Sequence, residues 1–208
     1  MDIRKLGRVS SMAILLGMIL LLAACASTPK VERKAVDTTI DLSGRWNDTD
    51  SRMVSEEMIS DCLNRPWLEK FSAAHGGTPP TVIVGQVRNR SHEHINVQTF
   101  VKDLERALIN SGRVQFVASK GERGDVREER LDMAQHASEE TMKGPGEEVG
   151  ADFMLIGSIN TIRDEIQGRA VMFYQTNLEL INMANNIKVW VGEKKIKKLI
   201  ERPKAKLY

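Results

Sequence analysis

Cysteine is scarce in this chain: Cys25 and Cys62 are the only two among 208 residues. Two cysteines cannot build the set of disulfides that stabilises a small secreted domain, so a disulfide scaffold is excluded. Cys62 recurs with Val54, Met58 and Ile59 at helical spacing, which places its thiol on the apolar side of a helix. We therefore predict a core position for Cys62 rather than a reactive thiol.

Signature motifs of enzymes are missing as well. The sequence has no G-x-S-x-G, no G-x-x-x-x-G-K-[ST], no H-E-x-x-H and no G-x-G-x-x-G. His92-Glu93-His94 is the one short stretch that could bind a metal, but two imidazoles without a nearby third ligand are too few for a zinc site. We expect no catalytic residue, no metal, no cofactor and no small-molecule substrate.

No apolar run is long enough to span a bilayer. The run Met12–Ala24 covers 13 residues, whereas a transmembrane helix needs about 20. Basic residues at positions 4, 5 and 8 precede it, as in the basic start of a secretory signal. We predict a cleavable signal peptide.

The end of this run, Leu22-Ala23-Ala24-Cys25, resembles the lipobox of bacterial lipoproteins. The motif implies cleavage after Ala24, a diacylglyceryl group on the Cys25 sulfur and acylation of the new amino terminus, and several acyl chains give stable anchoring. Ala26 and Ser27 follow, with no aspartate to retain the protein in the inner membrane under the enteric sorting rule. We expect an outer-membrane lipid anchor on Cys25 and a domain that faces the periplasm.

Neither sign of charge dominates. Without residues 1–24, 27 basic and 27 acidic side chains remain, and this balance argues against a general polyanion binder. Export argues against nucleic acid as a partner. The polar stretch ASTPKVERKAVDTTIDL is typical of a flexible tether. We assign residues 1–24 to the signal peptide, 25–43 to the lipidated anchor and tether, and 44–208 to one folded domain.

From Gly44 onward, helix and strand patterns alternate. The fold class predicted is α/β, with a mixed sheet of about five strands flanked by helices: a parallel β-α-β unit followed by an antiparallel C-terminal hairpin. The stretch 121–150 is highly charged and predicts surface helices broken at 144–146. Helices are predicted at 50–63, from 66 onward and at 97–109, and strands at 81–87 (buried on both faces), 114–118, 151–159 (the sheet centre), 170–181 and 187–191.

Two stretches carry residue types that dominate interface hot spots. The first, Arg45-Trp46-Asn47, opens the domain, although Trp46 could equally be a packing residue in front of helix-capping Asn47. The second, positions 89–94, follows the carboxyl end of a strand, where open α/β sheets place their ligand sites. The candidate partner-binding residues are Arg45, Trp46, Asn89, Arg90, His92, Glu93 and His94.

The C-terminal stretch from Glu193 to Lys206 holds seven basic and two acidic residues. One interpretation is a solvated edge strand that its lysines protect from pairing. The other is a surface for an anionic partner such as lipid headgroups, cell-wall carboxylates or an acidic protein face.

Five blocks together resemble the LpoB family, the lipoprotein activators of class A penicillin-binding proteins. They are GRWNDTDSRMVSEEMI, TVIVGQVRNRSHEHIN, LINSGRVQFVASKGERGDVREER, GADFMLIGSI and VWVGEKKIKK, and they run in order from Gly44 to Lys198. The resemblance implies a periplasmic domain similar to the N-terminal domain of TolB, without catalytic residues. It also implies an outer-membrane anchor and a penicillin-binding protein as the partner whose peptidoglycan synthesis is stimulated.

Two other classes of function stay open on the residues alone. A structural or assembly lipoprotein of another envelope machine, such as a secretion or flagellar apparatus, has the same kind of signal and domain. A metal-dependent enzyme is the least favoured, because it would need more ligands than His92 and His94.

Overall fold

The structure is a computed structural model that describes residues 31–138, 140, 143 and 148–201. The chain divides into two compact units, residues 1–38 and 39–208. The described part of the first unit, 31–38, contains a turn in which the Thr38 N–H donates to the Ala35 carbonyl at 3.0 Å. The predicted signal peptide and Cys25 lie outside the described residues. No described helix has the length and apolar character needed to cross a membrane.

Every described helix and strand belongs to the second unit. The helices are α1 (Asp48–Leu63), α2 (Pro66–Ala74), α3 (Val97–Asn110) and α4 (Lys120–His136), and the strands are β1 (Thr81–Arg90), β2 (Gln115–Phe116), β3 (Phe153–Ile166), β4 (Arg169–Asn182) and β5 (Lys188–Glu201).

The five strands form one sheet in the order β2-β1-β3-β4-β5. Strand β1 pairs in parallel with β2 and β3, while β4 pairs antiparallel with both β3 and β5. The prediction of a mixed α/β sheet, parallel early and antiparallel late, is confirmed, and so is the central place of β3.

Local signals fix where the first two helices begin. The Asn47 side chain accepts the Asp50 N–H and the Asp50 carboxylate accepts the Asn47 N–H, both at 3.0 Å, which is a capping box at the start of α1. Pro66 occupies the start of α2, where its fixed φ suits a helix and its missing N–H costs nothing. Both helices begin within two residues of the predicted position.

The core lies on one face of the sheet, against α1 and α3. Strand β4 shows this most clearly, because its residues alternate between buried and half-exposed, with Tyr174, Leu178 and Leu180 buried. Cys62 is buried in the same core, as predicted, and burial raises the pKa of its thiol to about 12. A thiol that stays protonated at neutral pH is a poor nucleophile.

Several strand boundaries differ from the prediction. Strand β3 ends at Ile166 rather than at 159, since its antiparallel pairing with β4 continues as far as Ile166↔Arg169. Strand β1 ends at Arg90 rather than at 87. Strand β2 has only two residues instead of five, because its parallel pairing with β1 is limited to Thr81↔Gln115 and Val82↔Phe116. Strand β5 runs to Glu201 rather than ending at Val191, since its antiparallel pairing with β4 continues as far as Arg169↔Glu201. The both-face burial predicted for β1 holds at 82–84 but not beyond, where Gln86 and Arg88 are exposed.

Candidate partner-binding surface

Trp46 packs against the core of the domain, with part of its side chain exposed. Its indole is half-buried and meets two core rings edge-on, Phe100 with centroids 6.1 Å apart and Tyr174 with centroids 5.6 Å apart. Such edge-to-face pairs each stabilise by about 0.5–1.5 kcal/mol beyond their buried area. The packing interpretation of Trp46 therefore describes its position.

Glu93 joins the two predicted stretches. Its carboxylate accepts the Trp46 backbone N–H at 3.1 Å and the Tyr174 hydroxyl at 2.9 Å, while the Gly44 carbonyl oxygen lies 3.2 Å from that hydroxyl. Burial, followed by the hydrogen bond to the Glu93 carboxylate, raises the pKa of Tyr174 well above its ordinary value of 10.0. The carboxylate thus fixes the segment that opens the domain against the end of β1 and the middle of β4.

The rest of the loop after β1 is also held by internal hydrogen bonds. The His92 backbone N–H and its ring Nδ1 lie 3.1 and 3.0 Å from the Thr161 hydroxyl oxygen. The Asn89 side-chain amide donates to the Glu93 carbonyl at 2.8 Å, and its oxygen accepts the Ser91 N–H at 2.9 Å. Within the described ranges, no three His, Cys, Asp or Glu side chains are arranged to hold a metal ion.

The seven candidate residues therefore divide into two kinds by position. Trp46, Glu93, Asn89 and the backbone of His92 take part in contacts that build the domain. The side chains that point to solvent and are free of such contacts in the described structure are Arg45, Arg90 and His94, all of which are exposed.

Strand β5 carries the basic C-terminal stretch, and it is an edge strand. Lys198 is largely buried, with 11% of its side chain exposed, and its ammonium donates to Asp50 at 2.6 Å and Asp41 at 2.7 Å. Burial opposes the charge of this ammonium, but the hydrogen bonds and attraction of the two carboxylates outweigh burial and raise the pKa of Lys198. The hydrogen bond from Lys198 and the attraction of its charge lower the pKa of Asp41.

The lysines of β5 thus have different surroundings. Lys194 pairs with Glu57 of α1, and Lys195 lies 2.5 Å from Glu193 on its own strand. Lys197 is exposed and belongs to no ion pair among the described residues. Part of the basic charge of this strand is therefore neutralised inside the domain, a role for Lys198 that the sequence reasoning missed.

The sheet face opposite the core holds a second group of polar side chains. We call this the open face; its central residues are Arg88 and Arg90 of β1, Ser158 and Asn160 of β3, and Gln175 and Asn177 of β4, all half-exposed or exposed. A cavity of about 230 Å³ lies there and includes both arginines in its lining. Arg88 was not among the predicted residues, although its alternation with Val87 in QVRNR signals its face.

This chain is similar to several proteins of known structure. The C-terminal domain of LpoB from Escherichia coli is 17% identical over 72% of this chain and 99% of that chain, with a TM-score of 0.44. The same domain from Salmonella enterica gives the same identity and coverage and a TM-score of 0.41. Lipoprotein GNA1162 from Neisseria meningitidis is 14% identical over 58% of this chain and 84% of that chain, with a TM-score of 0.37. No curated protein matches the chain.

The sequence model of one family matches most of the second unit. That family is described as peptidoglycan-synthase activator LpoB, and the match covers residues 50–196. It includes α1 from Asp50 onward, α2 to α4 and β1 to β4 in full, and β5 as far as Ile196. More than half of the chain is matched, and the chain belongs to the LpoB family.

Proposed function

We propose that this protein is a non-catalytic lipoprotein that binds and activates a peptidoglycan synthase of the class A penicillin-binding type. The family match over residues 50–196 is the observation that carries this proposal, because the family is described as a peptidoglycan-synthase activator. An activator works by binding its enzyme, so its function depends on a surface rather than on reacting groups.

The form of the domain supports a binding role. The Glu93 contacts join the segment around Trp46 to the loop after β1, and the Lys198 contacts join strand β5 to the start of α1. These bonds fix the backbone that carries the exposed arginines. A surface whose backbone is already ordered loses little conformational entropy when a partner binds. Arg45, Arg90 and His94 are the predicted contact residues that remain accessible for this purpose.

The domain organisation proposed with this function is the one expected from the sequence. Residues 1–24 form the signal peptide, 25–43 the lipidated anchor and tether, and 44–208 the periplasmic domain. Lipid on Cys25 would hold the protein at the outer membrane, and the tether would keep the domain close to that membrane.

Stimulation of synthesis tests the activator function directly. Adding the purified domain to a purified class A penicillin-binding protein from the same bacterium is expected to raise the rate at which that enzyme polymerises its lipid-linked glycan precursor. Heat-unfolded domain serves as the control. An unchanged rate, with the folded domain in excess and no binding between the two proteins, would contradict the proposal.

The anchor is tested by a single substitution. Cys25→Ser removes the thiol that the lipobox modification requires, so we expect uncleaved precursor without lipid, measured as a larger mass on gels and lost incorporation of a labelled fatty acid. Cys62→Ser is the matched control, because that cysteine lies in the core of the folded unit. Continued processing and acylation of the Cys25→Ser chain would exclude Cys25 as the lipidated residue.

A further inference from the structure

The open face carries two arginines whose neighbours are neutral. In the register of the sheet, Arg88 lies beside Ser158 and Arg90 beside Asn160. Opposite charges placed side by side on neighbouring strands stabilise a sheet. Here the neighbouring strand offers a hydroxyl and an amide instead.

Neither arginine is neutralised by the described part of the chain. The Arg88 Nε donates to the neutral Gln86 side chain at 3.1 Å, and no ion pair of Arg88 or Arg90 occurs among the described residues. The one carboxylate in the cavity lining, that of Glu179, lies 2.7 Å from the Lys188 ammonium. The cavity therefore carries a positive charge that the fold itself does not use.

The lysines of β5 that face the helices differ from these two arginines in their neighbours. Lys194 and Lys198 face the helices and have acidic partners in Glu57, Asp41 and Asp50. The positive charges that stabilise this domain thus lie beside carboxylates. The two arginines of the open face have the opposite arrangement, which favours a negatively charged group from another molecule.

The spacing of the arginines defines the kind of group. Residues two apart on one strand lie about 6.6 Å from each other on the same face. Two carboxylates on a helix at i and i+4, about 5–6 Å apart, match this spacing, and a guanidinium binds a carboxylate through two parallel hydrogen bonds. Ser158 and Asn177 line the same cavity and can donate to the outer carboxylate oxygens, while Ile156 supplies an apolar wall.

We propose that Arg88 and Arg90, with Ser158 and Asn177 beside them, form a carboxylate-binding subsite that docks a pair of acidic side chains on the surface of the synthase. This inference rests on the proposed function and adds to it the face and the chemistry of recognition. Arginine is a typical hot-spot residue when a partner covers it, and its charge also speeds encounter with an acidic surface.

The test measures the affinity of each variant for the purified class A penicillin-binding protein, immobilised on a surface, at several salt concentrations. The variant Arg88→Gln/Arg90→Gln is expected to bind about 30-fold more weakly than wild type, the loss typical of a hot spot. Its affinity should also depend less on salt. Its melting temperature should be unchanged, because both side chains are exposed.

The control is Arg113→Gln, which removes one positive charge, against two in the double variant, at an exposed position after α3. It is expected to bind as wild type does. Wild-type affinity in the double arginine variant, with binding of the unaltered chain intact, would overturn the subsite and leave the proposed function standing. If the unaltered chain itself fails to bind the synthase, the function is wrong and the subsite falls with it. Arginine-dependent binding to anionic vesicles or isolated cell walls, with synthase affinity unchanged, would also overturn the subsite.

Discussion

Replacing Lys198 with methionine is expected to lower the free energy of unfolding by about 3 kcal/mol, because breaking one side of a buried ion pair leaves an uncompensated charge. Methionine keeps much of the apolar stem and removes the ammonium. The Asp50 side chain, 5% exposed, would then keep a single backbone hydrogen bond from Asn47. Since a domain of this size changes by about 2–4 °C per kcal/mol, the melting temperature should fall by about 6–12 °C.

Lys197→Met is the matched control for this effect. Lys197 neighbours Lys198 on the same strand but is exposed and outside any described ion pair, so its loss should change stability by less than about 0.5 kcal/mol. Adding Asp50→Asn to Lys198→Met removes the stranded charge and should recover part of the loss. Equal stability of the two lysine variants would show that the ion pairs of Lys198 with Asp41 and Asp50 do not stabilise the domain.

The pH dependence of the Lys198 effect follows from the direction of the pKa shifts. The pKa of Lys198 is raised above 10.5, so its contribution is complete below pH 10.5 and is lost as the pH rises through the folded-state value. The pKa of Asp41 is lowered below 3.8, so its share is complete above pH 3.8 and is lost as the pH falls through the folded-state value. The stability gap between wild type and Lys198→Met, measured by denaturant unfolding, should be constant between these limits and narrow outside them.

The sequence could predict elements whose signals are local. The capping residues Asn47 and Asp50 lie three positions apart, so four adjacent residues predict the start of α1. The alternation of β4 is visible in the same way, since Tyr174, Leu178 and Leu180 sit at even spacing. Burial of Cys62 followed from the helical period of α1 alone.

Features that depend on distant pairing could not be predicted. Strand β5 is 14 residues long because β4 lies beside it. An edge strand was one of two interpretations of its lysines, but nothing in the sequence VGEKKIKK fixes where the strand ends. Glu93 and Tyr174 are 81 positions apart, and Lys198 and Asp50 are 148 apart. No periodicity within either stretch reveals such a contact, so a bridging carboxylate and a buried ammonium both looked like surface charges.

The structure also changes how the candidate site should be tested. Glu93→Ala would weaken partner binding even if Glu93 never touched the partner, because its carboxylate holds the segment around Trp46 and the Tyr174 hydroxyl in place. Arg45, Arg88 and Arg90 avoid this ambiguity, since their side chains are exposed and can be removed without loss of a buried bond. Binding experiments should therefore use the arginines, and Glu93 should be studied through stability.

Replacing Glu93 with alanine is expected to lower the free energy of unfolding by about 2 kcal/mol. The carboxylate accepts the Trp46 N–H and the Tyr174 hydroxyl, and hydrogen bonds to a charged group contribute about 1.5–3 kcal/mol each. The expected loss corresponds to only one of these two bonds, because the Tyr174 hydroxyl can still donate to the Gly44 carbonyl, 3.2 Å away. Denaturant unfolding measures the change, and the m-value should stay constant, since the fold is retained.

Glu93→Gln is the matched control, because an amide can replace both bonds. Its oxygen can accept the Trp46 N–H, and its NH₂ group can donate to the Tyr174 oxygen while the Tyr174 proton turns to Gly44. We expect this variant to lose less than about 1 kcal/mol. A loss as large as that of Glu93→Ala would mean that the charge of the carboxylate, rather than the two bonds, stabilises this junction.

A double-mutant cycle identifies the bond itself. Tyr174→Phe alone removes one donor from the Glu93 carboxylate and is expected to cost about 1 kcal/mol, since the Trp46 N–H remains bonded. Once the carboxylate is gone, the same substitution removes only the weaker contact with Gly44. Glu93→Ala/Tyr174→Phe should therefore lose about 0.5–1 kcal/mol less than the two single losses added together, which is the coupling expected of residues in contact. Strictly additive losses would show that the carboxylate and the hydroxyl do not bind each other in solution.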